Sequence, residues 1–305
     1  MRPLQRLLRT CARLLLLVAV IAVVPTGSVN PTTISLTKIG SAKAVDAGEG
    51  VLWVLALGSE AAAGEDVMQG RTDAIQLIGV QLRSGHAVAI GLPRDLYVEL
   101  PSGRARINTA LQEGGPEGAA REVEELLGIA PDLVLVTGFD GFLSMMDAVG
   151  EVRVDSPIAF TTEDDGVEVR RGSNTFDSGE ALAYARTREG LPAGDFDRSA
   201  NHQRLLLGVL ERLRSAEDDE GYMEHAALAA LGGLQTDLSP SEVFRLVQAL
   251  TTVDPGTTTS CIITGDFGVE YGASVVYPDL EQARAVGADA RDDARLQGGC
   301  RDGSG

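Results

Sequence analysis

The sequence predicts an α/β layered fold, a central β-sheet packed against helices, in one domain over residues 51–290. Three observations carry this. Apolar, β-branched runs at 51–57, 74–80, 87–92 and 133–136 are too continuous for strands with one wet face, so they predict strands buried on both faces. Amphipathic helical segments alternate with these runs and then follow them. Of the 305 residues 44% are hydrophobic, enough for a sizeable core, and no strong linker interrupts 51–290.

The elements follow in order. Arg2, Arg6, Arg9 and Arg13 precede an apolar run at 14–24 that Pro25 ends. This is a charged region followed by a hydrophobic one, and it predicts a signal peptide or signal anchor over 1–27. The run is short beside the roughly 20 apolar residues of a membrane span. Either way the basic flank stays inside and the rest is exported, either released or held at the membrane. Residues 28–50, rich in Thr, Ser, Gly and Ala and without periodicity, are expected to be a flexible extracytoplasmic tether. Strands are expected at 51–57, 74–80 and 87–92. Gly115-Pro116 is expected to start a helix that shows Val123, Leu126 and Leu127 on one face and stops at Gly128. A central strand at 133–136 and a helix at 142–149 come next. A short helix at 178–185 and a longer amphipathic one at 198–214 follow. Ser239-Pro240-Ser241-Glu242 is a capping box with proline at the first helical position. A late strand at 275–277 and a last helix at 280–286 complete the domain. Residues 291–305 are expected to be loose. Cys11 lies in the targeting segment, which leaves Cys261 and Cys300, the number for one disulfide stapling the tail to the body.

The formal net charge of −18 argues against nucleic acid as a partner, because a polyphosphate duplex needs a dominant basic face. A few arginines focused in a cleft can still bind a phosphate-bearing substrate. Residues 183–198 supply such a group, with Arg186, Arg188 and Arg198 beside Asp195 and Asp197. Guanidinium stays charged and pairs bidentately with phosphate. A phosphate-binding G-x-x-x-x-G-K-[ST] loop, a G-x-S-x-G elbow and an H-E-x-x-H helix are all absent, and the chain has only three histidines, His86, His202 and His225. Carboxylate and arginine remain. They cluster at strand termini, where sites in α/β sheets are built. Arg71-Thr72-Asp73 precedes the strand at 74–80, Pro93-Arg94-Asp95 follows the one at 87–92, and Arg106-Ile107-Asn108 comes next.

Together with Gly114-Gly115-Pro116, Leu126-Leu127-Gly128-Ile129, Phe139-Asp140-Gly141-Phe142, Ala183-Tyr184-Ala185-Arg186-Thr187-Arg188 and Gly194-Asp195-Phe196-Asp197-Arg198, these pieces stand in an order that resembles the LytR-CpsA-Psr family of bacterial envelope enzymes. The resemblance covers roughly residues 50–215. It implies a mixed sheet sandwiched between helices, with an apolar pocket for a lipid chain. It implies a phosphotransferase that moves a glycopolymer, such as teichoic acid or arabinogalactan, from a polyprenyl-pyrophosphate carrier onto a peptidoglycan hydroxyl. A divalent cation, usually Mg²⁺, would assist. By the same match Arg94, Arg186, Arg188 and Arg198 grip the phosphates, and Arg106 stands where the family has a lysine. Asp73 ligates the cation. Asp195 either orients the arginines or helps to activate the acceptor. Asp95, His202 and Gln203 border the substrate, and Leu133, Val134, Phe139, Phe142, Met145, Met146 and Val149 are offered as one wall of the lipid pocket.

Besides Arg106, the sequence departs from the family pattern around residues 60–63, where Ala61-Ala62-Ala63 also stands in place of a common arginine, and at residues 201–202. Glu60 stands where the family has an aspartate as second cation ligand, and Asn201-His202 replaces a usual Arg-Gln. A carboxylate one methylene longer can still ligate Mg²⁺. These departures keep two other readings open: a non-catalytic binder of polyprenyl phosphate or glycan, and a pyrophosphatase that uses water as acceptor.

Overall fold

The computed structural model describes residues 31–40, 50–62, 64–216, 222, 234–297 and 300. The targeting segment at 1–27, and the parts of the expected tether and tail at 28–30, 41–49, 298–299 and 301–305, lie outside the described residues.

Within the expected tether a strand forms, β1 (Ile34–Lys38). The first sheet strands follow as β2 (Val51–Ser59), β3 (Thr72–Gln81) and β4 (Ala87–Gly91). A hairpin of β5 (Tyr97–Leu100) and β6 (Gly103–Arg106) leads into helix α1 (Ala110–Leu127). Then come β7 (Leu133–Thr137), α2 (Phe139–Val149), β8 (Val152–Ser156), the short strands β9 (Phe160–Thr161) and β10 (Glu168–Val169), and β11 (Gly172–Phe176). Helices α3 (Ser178–Arg186) and α4 (Asp195–Ser215) follow, then β12 (Leu234–Thr236), α5 (Pro240–Thr252) and β13 (Thr259–Ile262). A hairpin, β14 (Gly265–Glu270) and β15 (Ala273–Pro278), precedes the last helix, α6 (Leu280–Ala290).

Seven strands form one mixed sheet in the order β12-β1-β7-β2-β3-β4-β13. Strand β1 runs antiparallel to β7 and parallel to β12, with Ile34 opposite Thr137 and Leu234. Its alternation of Ile34 and Leu36 with Ser35 and Thr37 is a two-residue period, too short to stand out in a Ser/Thr-rich stretch. Strand β2 lies between β3 and β7, and its residues alternate between the two faces. Trp53, Leu55 and Leu57 pack with Val123, Leu126 and Leu127 of α1 and with Ala283 and Val286 of α6. Leu52 and Val54 pack on the other side with Ile34, Leu36, Leu133 and Val243 of α5. The sheet is therefore sandwiched between helices. Helices α1 and α6 meet so closely that a Cβ on Gly287 would lie 1.8 Å from the Leu127 carbonyl oxygen.

Several helix boundaries differ from expectation. Helix α1 starts at Ala110, five residues before Gly115, and Gly115 breaks it with φ +63° so that Pro116 opens the second segment. Gly128, at φ +71°, ends it in the left-handed conformation that glycine adopts without strain. Helix α2 starts at Phe139, three residues earlier than expected. Helix α4 starts at Asp195, also three residues early, which puts Asp195 and Arg198 one turn apart on one helix. The expected lipid-pocket wall is not one surface. Leu133 and Val134 point to opposite faces of the sheet, while Met146 and Val149 belong to a third core cluster with Tyr184 and Leu205. Nor is the start of the tail loose: Ala294 is fully buried, Leu296 packs on the main core, and Cys261 and Cys300 lie with Cα atoms 5.4 Å apart, within disulfide range.

Candidate active site

Three chain segments converge at one end of the β2-β3-β4 part of the sheet. Asp73 is the second residue of β3, Arg94 lies in the loop after β4, and Asp195 and Arg198 occupy the first turn of α4. Arg94 Nη1 is 2.5 Å from Asp73 Oδ1, and Arg94 Nε is 3.7 Å from Asp195 Oδ1. The backbone N–H of Arg94 donates to Asp195 Oδ2 at 3.0 Å. The guanidinium of Arg198 bonds the same Asp195 carboxylate. Asp195 and Arg198 are both buried, and a charge out of water needs such a partner.

Burial pushes the Asp195 carboxyl above its ordinary range, and the charges of Arg198 and Arg94 oppose that. For Arg94, burial works against the charged form, but the carboxylates of Asp73, Asp195 and Asp95 outweigh it and hold the pKa above the usual value. Burial lowers that of Arg198. These arginines are held in fixed orientations by the carboxylates they share. Preorganised charge of this kind lowers the barrier to reactions that build up charge on phosphate oxygens.

The other expected residues are placed differently from one another. Arg106 pairs with Asp95 at 2.9 Å, a neighbouring ion pair where the β5–β6 hairpin ends. Arg186, at the end of α3, is exposed, lies 4.9 Å over the ring of Phe139 and pairs with Asp164 at 3.1 Å. Arg188 is exposed too, and its guanidinium has no hydrogen-bond or ion-pair partner among the described residues. It is close enough to Arg198 to bias its titration.

Two expected substrate contacts are engaged within the protein itself. Gln203 is buried, and its Nε2 donates to Cys261 O at 2.8 Å and to Ala89 O and Gln76 Oε1 at 3.2 Å. Gln76 Nε2 in turn donates to Ser199 Oγ at 3.0 Å. This amide network fastens α4 to β3, β4 and β13, and so helps to set the position of Arg198. His202 Nε2 donates to Ala185 O at 2.8 Å, which fixes the tautomer and leaves Nδ1 without a proton to give a phosphate oxygen. Burial and the Arg198 charge hold its pKa down at about 4, so the ring is neutral at pH 7.

The acidic partners Glu163 and Asp164, and the anchoring Gln76 and Ser199, are not singled out by the sequence. Glu163 and Asp164 sit in an exposed acidic turn that no spacing distinguishes from ordinary surface. Asn108 is buried beside the site; its N–H donates to Arg94 O at 3.2 Å, and its carbonyl accepts from Thr72 Oγ1 at 3.4 Å. The clue to it is its place in the Arg106-Ile107-Asn108 element.

The fold and site together define an α/β protein that gathers paired arginines and carboxylates at the ends of its central strands. The LytR_cpsA_psr family model matches residues 28–290, and the chain belongs to that family. A relative from Bacillus cereus, the polyisoprenyl-teichoic acid–peptidoglycan teichoic acid transferase TagU, is 30% identical over 194 residues, 63% of this chain and 62% of that protein. LcpB of Corynebacterium glutamicum, a probable cell wall biosynthesis protein, is 33% identical over 153 residues, 50% of this chain and 36% of its own. The chain thus matches about three-fifths or less of the length of these relatives. The crystal structure of Bacillus subtilis TagV superposes with a TM-score of 0.65 at 26% identity, over 77% of this chain and 95% of that one.

Proposed function

We propose that this protein transfers a glycopolymer from a polyprenyl-pyrophosphate carrier to a peptidoglycan hydroxyl. The observation that carries this is the shared Asp195 carboxylate, which bonds Arg94 through its backbone and Arg198 through its guanidinium and so sets two cations side by side. TagU is named as a teichoic acid–peptidoglycan transferase, and its sequence similarity supports the same class of reaction. In this reading the acceptor hydroxyl oxygen attacks the phosphorus that carries the glycan. The bond from that phosphorus to the bridging oxygen breaks, and polyprenyl phosphate leaves. The hydroxyl proton passes to a carboxylate of the site or to the departing phosphate. Arg94, Arg198 and Arg188 meet the charge that grows on the phosphate oxygens, and Asp195 orients the first two.

Mg²⁺ fits the donors present. Asp73 and Glu60 flank the facing ends of β3 and β2, and both carboxylates are about one-third exposed. Asp73 is engaged by Arg94, and Glu60 by Arg71 at 2.5 Å. No group of three metal-ligating side chains occurs among the described residues. One or two carboxylates completed by phosphate oxygens and water is the manner in which Mg²⁺ is usually held. Bound there, it would supply charge neutralisation at the pyrophosphate. We further propose that residues 1–27 bring the domain to the membrane that holds the carrier, and that Cys261 and Cys300 form a disulfide outside the cytoplasm.

The test is full-length protein with a labelled polyprenyl-pyrophosphate glycan, Mg²⁺ and peptidoglycan. Label transferred to peptidoglycan supports the proposal. Phosphate release that ignores peptidoglycan makes the protein a pyrophosphatase. Retention of the donor without turnover at any cation makes it a binder.

A further inference from the structure

We propose that Glu163, at the tip between β9 and β10, is a positioning residue for Arg188. The inference rests on the reading that Arg188 meets substrate phosphate. Helix α3 ends at Arg186, and Thr187 after it, with φ −61° and ψ 130°, turns the chain out of the helix. The segment after it has lost the intrahelical acceptors that would hold its N–H groups. Glu163 provides the replacement: its Oε1 accepts the N–H of Arg188 at 2.6 Å and that of Glu189 as well. Burial alone would push the Glu163 carboxyl up, but the two N–H bonds and the charge of Arg188 bring it below the usual carboxylate range. The ionised form is therefore the one that the turn holds.

The tip is itself anchored. Thr162 and Val167 close it with a backbone bond of 3.0 Å and a bond from Val167 N to Thr162 Oγ1 at 2.9 Å. Gly166, at φ +64°, makes the turn between them. Behind it Phe160 stacks on Tyr184 of α3, centroids 5.9 Å apart. The carboxylate thus stands on a strut packed against the helix whose end it caps. The same tip places Asp164 against Arg186, so the two arginines of the Arg186-Thr187-Arg188 step are treated differently. Asp164 occupies the guanidinium of Arg186, whereas Glu163 takes the backbone of Arg188 and leaves its guanidinium open to substrate.

The test uses full-length protein and geranylgeranyl pyrophosphate as probe, with affinity read by calorimetry. Glu163→Ala should weaken binding about tenfold. Glu163→Gln should recover most of that loss, because the amide oxygen still accepts an N–H. In an Arg188→Ala background Glu163→Ala should change nothing further, since coupled residues fail to add. Hydrogen exchange at Arg188 and Glu189 should accelerate in Glu163→Ala while amides within α3 keep their protection. Unchanged or tighter binding by Glu163→Ala overturns the inference, and tighter binding would make Glu163 a competitor for the arginines. An additive loss in the double variant, or general loss of protection, overturns it as well. If Arg188→Ala itself binds the probe like wild type, the phosphate-gripping role of Arg188 fails instead, which separates the two readings.

Discussion

Asp195 Oδ2 accepts the backbone N–H of Arg94 at 3.0 Å, across 101 positions of sequence. One carboxylate thereby fixes the main chain of one arginine and the guanidinium of another. Asp195→Asn keeps the shape but removes the charge, and it leaves Arg198 buried without its counter-ion. We expect a loss of about 3 kcal/mol of stability, as for other broken buried pairs, and a large loss of transfer. Chemical denaturation measures the first. A variant as stable as wild type would mean that solvent already reaches Arg198.

Arg94→Ala should lower turnover by roughly two to three orders of magnitude, the scale for removing one preorganised donor from a developing charge. Arg94→Lys should not restore it. A lysine has one ammonium and cannot face Asp73 and a phosphate with a planar fork. Labelled donor turnover at saturating Mg²⁺ is the measurement, and near-normal activity in either variant would contradict this role for Arg94.

His202 gives the fold an acid limb. The unfolded imidazole takes up a proton near pH 6.5, and the folded one only near 4. Between those values the unfolded state binds more protons, so stability is full above pH 6.5 and falls as the pH drops towards 4. The residue as a whole is only half-buried, which reduces the effect to about 2 kcal/mol. His202→Gln should flatten this limb when urea unfolding is followed from neutral to mildly acidic pH. Parallel pH profiles in the two proteins would show that another group is responsible.

Cys300→Ser should destabilise the protein by about 4 kcal/mol in the chain-entropy model, given a separation of 39 residues. The reducing agent that lowers the wild-type melting temperature should leave the variant unchanged. Equal melting of oxidised and reduced wild type would speak against the bond.

The parts of this molecule legible in its sequence were those with a strong local rule. Strands β2, β4 and β7 are largely apolar runs, β3 is apolar from Ala74 to Val80 apart from Gln76, and α3 and α5 carry caps of their own, Asp177 with Glu180 and Ser239 with Glu242. Strand β1 and the two-residue strands β9 and β10 were not legible: β1 is held by partners far along the chain, and β9 and β10 are too short to show a period. The site divides the same way. Asp73 and Arg94 flank strand ends, where function is expected. Gln203, by contrast, has the composition of a substrate contact and acts as a fastener, because the carbonyls that it meets come from β4 and β13. Glu163 carries no pattern at all, since its role exists only after α3 has ended beside it.

The two outermost strands of the large sheet, β12 and β13, are both made after residue 233, and they flank β1 and β4. A polypeptide that stops after α4 would leave both flanks bare, each a row of unpaired N–H and C=O groups open to any passing strand. Truncated forms of this protein should therefore come out of the cell as aggregates, even though every arginine of the Arg94–Arg198 group is already present in them.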